Sequence, residues 1–228
     1  MKKNLFIVLL CVLMAITAVS CKNEPAVEPE PEYKGTFYGW DSNEPGAWVK
    51  TNVRAAEGEY DLELNFNKGK VTLLVDGKEI HSYELKKGDD VVSKTAVKSI
   101  ILQSLNNGKE YSVEWMLPTV DGKAVPSEGW VVDRTEPKSF EIKDGKVSIT
   151  TTDANIANAD KNRFYRFQGK TVNPATSAAE TWSVKTKVSF DKALLDDKGF
   201  APSIWLRVVD EAGAALDWAI IELRSDAE

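Results

Sequence analysis

Histidine and cysteine are almost absent from this chain, and their scarcity limits the chemistry available to it. His81 is the only histidine, and the two cysteines, Cys11 and Cys21, lie in or directly after an apolar N-terminal run. The rest of the chain has no thiol for a disulfide framework or a zinc site. A Ser-His or Cys-His pair would depend on His81 alone, which alternates with apolar residues on a predicted strand. The sequence therefore predicts no catalytic residues, no metal and no cofactor.

Basic clusters are also lacking. The chain has 35 acidic residues against 29 basic ones, for a formal net charge of −6. Proteins that bind nucleic acids contact phosphates with clustered lysines and arginines. No nucleic-acid partner is predicted.

Acidic pairs can donate oxygens to calcium, but none here has the spacing of an EF-hand. The pairs are Asp89 with Asp90, Asp153 with Asp160, and Asp196 with Asp197. Solvated turns are the commoner place for such residues, so calcium binding remains only an alternative.

The N-terminus has the pattern of a secretory signal. Lys2 and Lys3 precede an apolar run over residues 5–19, which is short for a membrane span of ~20 residues. Residues 18–21, Ala-Val-Ser-Cys, resemble a bacterial lipobox, whose cysteine is lipidated and becomes the first residue of the mature protein. The resemblance implies a signal peptide over residues 1–20 and lipidation of Cys21. An ordinary secretory peptide is the alternative.

An acidic, proline-rich segment follows over residues 21–34. Its glutamates alternate with Pro25, Pro29 and Pro31, and proline favours the extended polyproline II geometry. The segment resembles the acidic tethers of surface lipoproteins in Gram-negative bacteria. The resemblance implies a disordered linker, a membrane partner through the N-terminal lipid, and a location at the outer membrane or cell surface.

Strand patterns dominate the rest of the chain. In residues 59–67, EYDLELNFN, apolar and polar residues alternate with the period of two that is typical of a half-buried strand. Asp76-Gly77 and Asp144-Gly145 each separate two apolar runs, which is a strong signal for a β-hairpin. The sequence predicts an all-β protein built of antiparallel β-sandwiches.

The segment LNNGKEY, residues 105–111, resembles the Leu-x-x-Gly-x-x-Tyr corner of fibronectin type III and related immunoglobulin-like modules. In those modules the tyrosine hydroxyl bonds to backbone just upstream and fixes the connection between two sheets. The resemblance implies strands over residues 98–103 and 109–116, an inward-facing Tyr111, and a β-sandwich module over residues 35–134.

The second half resembles the opening strands of a laminin-G or concanavalin-A-like jelly roll. The resemblance rests on the order of the segments FEIKDGKVSI, NRFYRFQGKTV, ETWSVKTKVSF, SIWLRVVDEAG and LDWAIIEL. It implies a partial jelly roll over residues 135–228, in a superfamily whose members often bind glycans. Such jelly rolls need further strands. The alternatives are a single permuted sandwich, in which the first half packs against residues 216–223, or a piece of a longer protein.

Two carboxylates near the C-terminal end raise the question of a glycosidase site. Asp217 and Glu222 are five residues apart, so on a regular strand they face opposite sides and lie ~16 Å apart. Retaining and inverting glycosidases hold their carboxyl groups ~5 Å and ~6.5–9.5 Å apart. We therefore expect a buried strand with charged ends, with Leu216, Trp218 and Ile220 in the core, and no enzyme activity.

Tryptophan is abundant, with seven in the chain. Trp40 and Trp48 bracket a turn-rich loop, and Trp205 faces opposite its apolar neighbours, beside Arg207. Flat aromatic faces next to hydrogen-bonding groups suit a sugar ring, so these four residues are the candidate ligand-binding residues. Packing at the ends of a sandwich is the commoner role of such amphipathic rings.

The sequence thus leads to two classes of function. The first is a surface-anchored lipoprotein whose β-sandwich binds a glycan or another surface protein. The second is a structural spacer or adhesin part without a small ligand. A spacer should expose few aromatic rings, whereas a glycan-binding protein should present at least two on one face.

Replacing Cys21 by serine is expected to abolish lipid attachment, because lipoprotein processing requires the thiol. Radiolabelled palmitate fed to cells should enter the wild-type protein and not the Cys21→Ser variant. Cys11→Ser, which removes the thiol inside the apolar run, is the matched control and should be labelled normally. Equal labelling of the wild type and Cys21→Ser would exclude the anchor.

Overall fold

A computed structural model describes residues 32–105, 108–152 and 163–227. Two short 3-10 helices, Arg163–Arg166 and Lys192–Asp196, accompany the strands. Within these ranges no helix is long and apolar enough to cross a membrane. The strands are β1 (Gly35–Trp40), β2 (Trp48–Ala55), β3 (Glu59–Asn67), β4 (Lys70–Val75), β5 (Lys78–Glu84), β6 (Lys86–Lys87), β7 (Asp90–Val91), β8 (Ala96–Leu105), β9 (Ser112–Met116), β10 (Thr119–Val120), β11 (Lys123–Ala124), β12 (Val131–Val132), β13 (Ser139–Lys143), β14 (Lys146–Thr150), β15 (Phe167–Val172), β16 (Thr181–Phe190), β17 (Pro202–Val209) and β18 (Ala215–Ser225).

The strands form two large antiparallel sheets that share one hydrophobic core. Sheet A has seven strands in the order β12-β15-β8-β17-β18-β1-β2. Sheet B has nine, in the order β13-β14-β9-β16-β3-β4-β5, with β10 paired to β16 and β11 paired to β10. Buried residues of both sheets, such as Ile221 in sheet A and Leu64 in sheet B, belong to the same core cluster. The prediction of an all-β antiparallel sandwich is confirmed.

Both halves of the chain contribute to both sheets. In sheet A, β17 pairs with β8 and β18 pairs with β1, and in sheet B, β16 pairs with β3. Residues Glu32–Glu228 accordingly form one compact unit. The structure therefore corrects the predicted division into modules 35–134 and 135–228 to a single sandwich. The physical reason is that several strands of each half, such as β1, β3 and β8, have a hydrogen-bonding partner strand in the other half.

The apolar strand β18 lies in the interior of sheet A, between β17 and β1. Trp205 of β17 stands opposite Ile220, and Phe37 of β1 stands opposite Leu223. Because both edges of β18 are paired, its backbone groups are satisfied and no apolar edge is left open. Residues of the first half do pack against residues 216–223, as the alternative to two modules requires.

Tight turns join the predicted hairpins. Asp76-Gly77 connects β4 to β5 and Asp144-Gly145 connects β13 to β14, with positive φ at both residues of each pair. Positive φ at both central positions is the requirement of a type I′ turn, whose twist matches that of the flanking strands. Two further pairs have the same geometry, Lys68-Gly69 and Asp121-Gly122.

Tyr111 makes the contact that its motif predicts. β8 lies in sheet A and β9 in sheet B, so the segment between them crosses from one sheet to the other. The Tyr111 hydroxyl donates a hydrogen bond to the Leu105 carbonyl oxygen and lies 3.2 Å from Ser104 Oγ. Burial raises the pKa of Tyr111 far above its ordinary value, so the hydroxyl keeps its proton and stays a donor. Residues 106 and 107 of the motif lie outside the described ranges.

Tyr111→Phe should lower the free energy of unfolding by about 0.5–1.5 kcal/mol, the usual contribution of one buried hydrogen bond. The substitution keeps the ring, which packs against Phe200 at a centroid distance of 5.2 Å. Urea denaturation followed by fluorescence measures the change. Tyr33→Phe, at a side chain that is 52% exposed, is the control and should leave the midpoint unchanged. Equal midpoints for wild type and Tyr111→Phe would contradict a stabilising role of the hydroxyl.

Candidate functional site

The outer face of sheet A carries a second apolar cluster, which we call the outer cluster. Along β17, Ile204 and Leu206 point into the main core, whereas Trp205 between them points to the other face. The buried members of the outer cluster are Ile101, Leu105, Phe167, Ala201, Trp205 and Ile220, and Trp40, Trp48, Phe164 and Trp218 pack against them while partly exposed. A solvent-facing sheet surface is usually polar, so this apolar face needs either a cover or a ligand.

Three of the predicted ligand-binding residues meet in the outer cluster. Trp40 and Trp48 are cross-strand partners on β1 and β2, with ring centroids 5.3 Å apart. Trp48 meets Trp205 at 6.0 Å, and Trp205 meets Trp218 at 5.7 Å. These are edge-to-face contacts, which the quadrupoles of aromatic rings favour. The four indoles thus form one continuous aromatic surface.

An open cavity of about 470 Å³ lies over this surface. Its described lining residues are Trp40, Arg134, Phe164, Tyr165, Trp205, Trp218 and Ile220. Tyr165 is 43% exposed, whereas Trp205 is only 4% exposed and lies at the base of the cavity. An apolar concavity of this size with a few polar groups is the usual form of a small-ligand site.

Two segments that sequence reasoning missed complete the cavity. The Thr135 hydroxyl donates to the Tyr165 carbonyl oxygen at 2.7 Å and so ties the segment after β12 to the 3-10 helix Arg163–Arg166. This contact helps to bring Phe164 to a centroid distance of 6.0 Å from Trp205. Neither segment is a regular strand, so periodicity gave no indication of its position. The aromatic-rich RFYRF at residues 163–167 is the one local signal.

Arg134 is fixed over the outer cluster by three kinds of contact. Its Cζ lies 4.4 Å from the Trp205 ring centroid, which is a cation–π distance. Its Nη1 donates to Gln103 Oε1 at 2.9 Å and lies 3.1 Å from Asp133 Oδ2. Burial lowers the pKa of Arg134 below its ordinary value, while the carboxylates of Asp133 and Glu222 act to raise it. The guanidinium keeps its charge, because an arginine titrates so far above neutrality.

Arg207, the fourth predicted ligand-binding residue, lies beside the cavity. Its Cζ is 4.6 Å from the ring centroid of Trp218. Arg207 is not among the described residues that line the cavity. Its cation–π contact supports one of the rings that do.

Arg224 and Glu222 form a shielded ion pair elsewhere in the same face. Arg224 Cζ lies 4.0 Å from the Tyr38 ring centroid and 4.5 Å from that of Trp48. Its Nε donates to Glu222 Oε1 at 2.6 Å. Glu222 is fully buried, so this carboxylate is engaged in packing and is shielded from solvent.

The alternation along β18 corrects one prediction. The sequence predicts Leu216, Trp218 and Ile220 together in the core. Leu216 does pack against the main core, but Trp218 and Ile220 belong to the outer cluster. Val208 of β17 pairs with Asp217 and Val209 with Ala215, so Leu216 is the extra residue of a bulge, and the alternation changes there.

Asp217 holds two of the cavity rings in place. Its carboxylate accepts hydrogen bonds from Trp40 Nε1 at 3.0 Å, from Ser42 Oγ at 2.5 Å and from the Trp218 backbone N–H at 2.7 Å. Trp40 and Trp218 both line the cavity. Asp217 is therefore a positioning residue for the aromatic rings, and it has different hydrogen-bond partners from Glu222.

The acidic residues of the described ranges form no group of three or more His, Cys, Asp or Glu side chains that could hold a metal ion. Two of the acidic pairs are described, with Asp196 and Asp197 in ion pairs with lysines and Asp89 and Asp90 exposed. Asp153 and Asp160 lie outside the described residues. The cavity's chemistry is thus that of aromatic rings and one arginine.

Comparison with known proteins gives no family assignment. The sequence matches no protein-family profile, and a search of curated proteins gives no significant match. The interpretation of the cavity therefore rests on its own geometry.

Asp217→Asn should lower the free energy of unfolding by about 1–3 kcal/mol, because an amide has one acceptor oxygen and turns an N–H group toward donors. The tryptophan emission should shift to longer wavelength as Trp40 loosens. Asp89→Asn, at an exposed carboxylate, is the matched control and should change neither property. Unchanged stability and emission in Asp217→Asn would show that this carboxylate does not position the rings.

Proposed function

We propose that the protein is a surface-anchored lipoprotein whose β-sandwich binds a glycan in the cavity over the outer cluster. The observation that carries the proposal is the meeting of Trp40, Trp205 and Trp218 in one open cavity on the outer face of sheet A. Cys21 and residues 22–31 of the tether, which would supply the anchor, lie outside the described residues, so the anchor rests on the lipobox resemblance.

The lining suits a sugar ring better than a purely apolar ligand. Aromatic faces offer flat apolar surface at low cost in conformational entropy, and a few polar groups beside them can contact the hydroxyls of a sugar. Tyr165 and Arg134 place two such polar groups at the cavity. A glycan ring, with apolar C–H faces and polar edges, matches this division.

The proposal is binding without cleavage. Glycosidases use a pair of carboxyl groups on either side of the scissile bond. The described lining of the cavity contains no carboxylate, and the nearby Asp217 and Glu222 are engaged by Trp40 and Arg224. A glycan bound here should be recovered intact.

A spacer without a ligand is the competing function. The edge-to-face packing of the indoles and the near-complete burial of Trp205 favour it, because rings that pack on one another have a structural role by themselves. The partly exposed rings of Trp40 and Trp218 and the exposed Tyr165 favour binding.

Glycan-array screening of the full chain, followed by calorimetry of the best glycan, separates the two functions. Tyr165→Ala and Trp218→Ala should each weaken binding about tenfold, since a lost ring contact costs ~1–1.5 kcal/mol. Tyr33→Ala removes an exposed tyrosine outside the cavity and is the control. Binding by the wild type that both cavity variants retain, or no binding to any glycan, would refute the proposed site.

A further inference from the structure

The described lining of the cavity carries a single charge. Among the described residues that line it, Arg134 is the only one with a charged side chain. Whatever ligand fills the cavity must therefore meet a guanidinium next to the aromatic rings.

Arg134 and Trp205 are held together by one buried polar network. Gln103 is fully buried; its Oε1 accepts from Arg134 and its Nε2 donates to Ser203 Oγ at 3.3 Å. The same Ser203 oxygen accepts from Trp205 Nε1 at 3.0 Å. Buried polar groups that are hydrogen-bonded to one another fix the side chains that they join. The cation and the ring beneath it are thus set in place before a ligand arrives.

The guanidinium has hydrogen-bonding capacity to spare. Arginine has five N–H donors, and the contacts of Arg134 with Gln103 and Asp133 both involve Nη1. Its Nε and Nη2 make no hydrogen bond within the described residues, and the side chain as a whole is 20% exposed. Two neighbouring N–H groups are the arrangement that binds a carboxylate or sulfate in bidentate fashion.

Asp133 is the ion-pair partner of Arg134 and lies on one side of the guanidinium. Its Oδ2 lies at an ion-pair distance from Nη1 but has no hydrogen-bond partner there, and burial raises the pKa of Asp133. The ion pair engages only the Nη1 side of the guanidinium, so a ligand anion would approach from the Nε and Nη2 side.

Resting on the proposed glycan site, we infer that the cavity selects a glycan ring that bears an anionic group, with Arg134 as the residue that binds this group while Trp205 lies beneath the guanidinium. The net charge of −6 does not oppose this assignment. At physiological salt, charges more than about 8 Å away are largely screened, so the groups near the cavity, Arg134 and its partner Asp133, set the local field.

The alternative is that Arg134 only covers the Trp205 ring. In that case the cation–π contact would be its whole role, and the cavity would bind neutral and acidic sugars equally well. The two roles differ in a measurable ratio, the affinity for an acidic glycan divided by that for its neutral counterpart.

The experiment measures this ratio with chemically matched probes on the full chain. The probes are galacturonate and glucuronate oligosaccharides with their carboxyl-reduced counterparts, and chondroitin sulfate oligosaccharides with their desulfated counterparts. At least one acidic probe should bind about tenfold or more tightly than its counterpart, and added salt should reduce the difference. The uronate and sulfate pairs show which anionic group is preferred.

Three variants assign the effect to Arg134. Arg134→Met keeps an apolar stem over Trp205 and should abolish the preference, whereas Arg134→Lys should keep part of it. Lys143→Met, a charge change of the same kind at an exposed residue of β13, should leave it unchanged. Thermal unfolding checks that each variant is folded. If Arg134→Met does not fold, the acidic preference of Arg134→Lys is compared with that of the wild type instead.

The outcomes separate this inference from the proposed function. Equal binding of acidic and neutral probes, or an acidic preference that survives in Arg134→Met, would overturn the inference and leave glycan binding intact. No binding to any glycan, acidic or neutral, would overturn both. An acidic preference that is lost in Arg134→Met and retained in Lys143→Met would establish the role of Arg134 in binding the anionic group.

Discussion

The pairing of β1 with β18 is the contact on which the rest of the structure depends. It joins the first described strand of the sandwich to the last one, from Gly35 opposite Ser225 to Gly39 opposite Ile221. A strand with apolar residues on both faces is stable in water only where its edges and its faces are both covered. With β17 on its other side, β18 has both edges covered. The two halves of the chain share one core because strands of each half need a partner from the other half to cover their edges.

The same pairing builds the outer cluster. It aligns Tyr38 with Glu222 and continues toward Trp40, while β2 adds Trp48 and β17 adds Trp205. Strand alternation then places all these rings on the face of sheet A that points away from sheet B. The segments around Thr135 and Phe164 cover part of this face, and the uncovered part is the cavity. The candidate site is thus a consequence of the order of strands in one sheet.

The proposed ligand would make two kinds of contact in the cavity, which differ in their physics. Its indoles give apolar, shape-dependent contact, which depends little on salt or on ligand charge. Arg134 adds a directional, charge-assisted contact whose strength grows in a site from which water is excluded. Gln103 and Ser203 lie beneath both and keep them at a fixed distance. A ligand that matches one feature alone would use only part of the site, which is why the proposed ligand is a ring with an anionic substituent.

The sequence by itself determined the all-β class, the hairpins at Asp76-Gly77 and Asp144-Gly145, and the corner contact of Tyr111. All three are local properties. Period-two alternation gives the class, turn geometry gives the hairpins, and the Tyr111 hydroxyl lies only six residues from its acceptor. It also indicated that Trp40, Trp48 and Trp205 are unusual. Only the tertiary structure decided that the two halves form one sandwich, that Trp218 faces outward, and that Arg134 and Phe164 join the rings. These features depend on which strands pair across long sequence separations, and hydrophobic periodicity specifies the faces of a strand but not its neighbours.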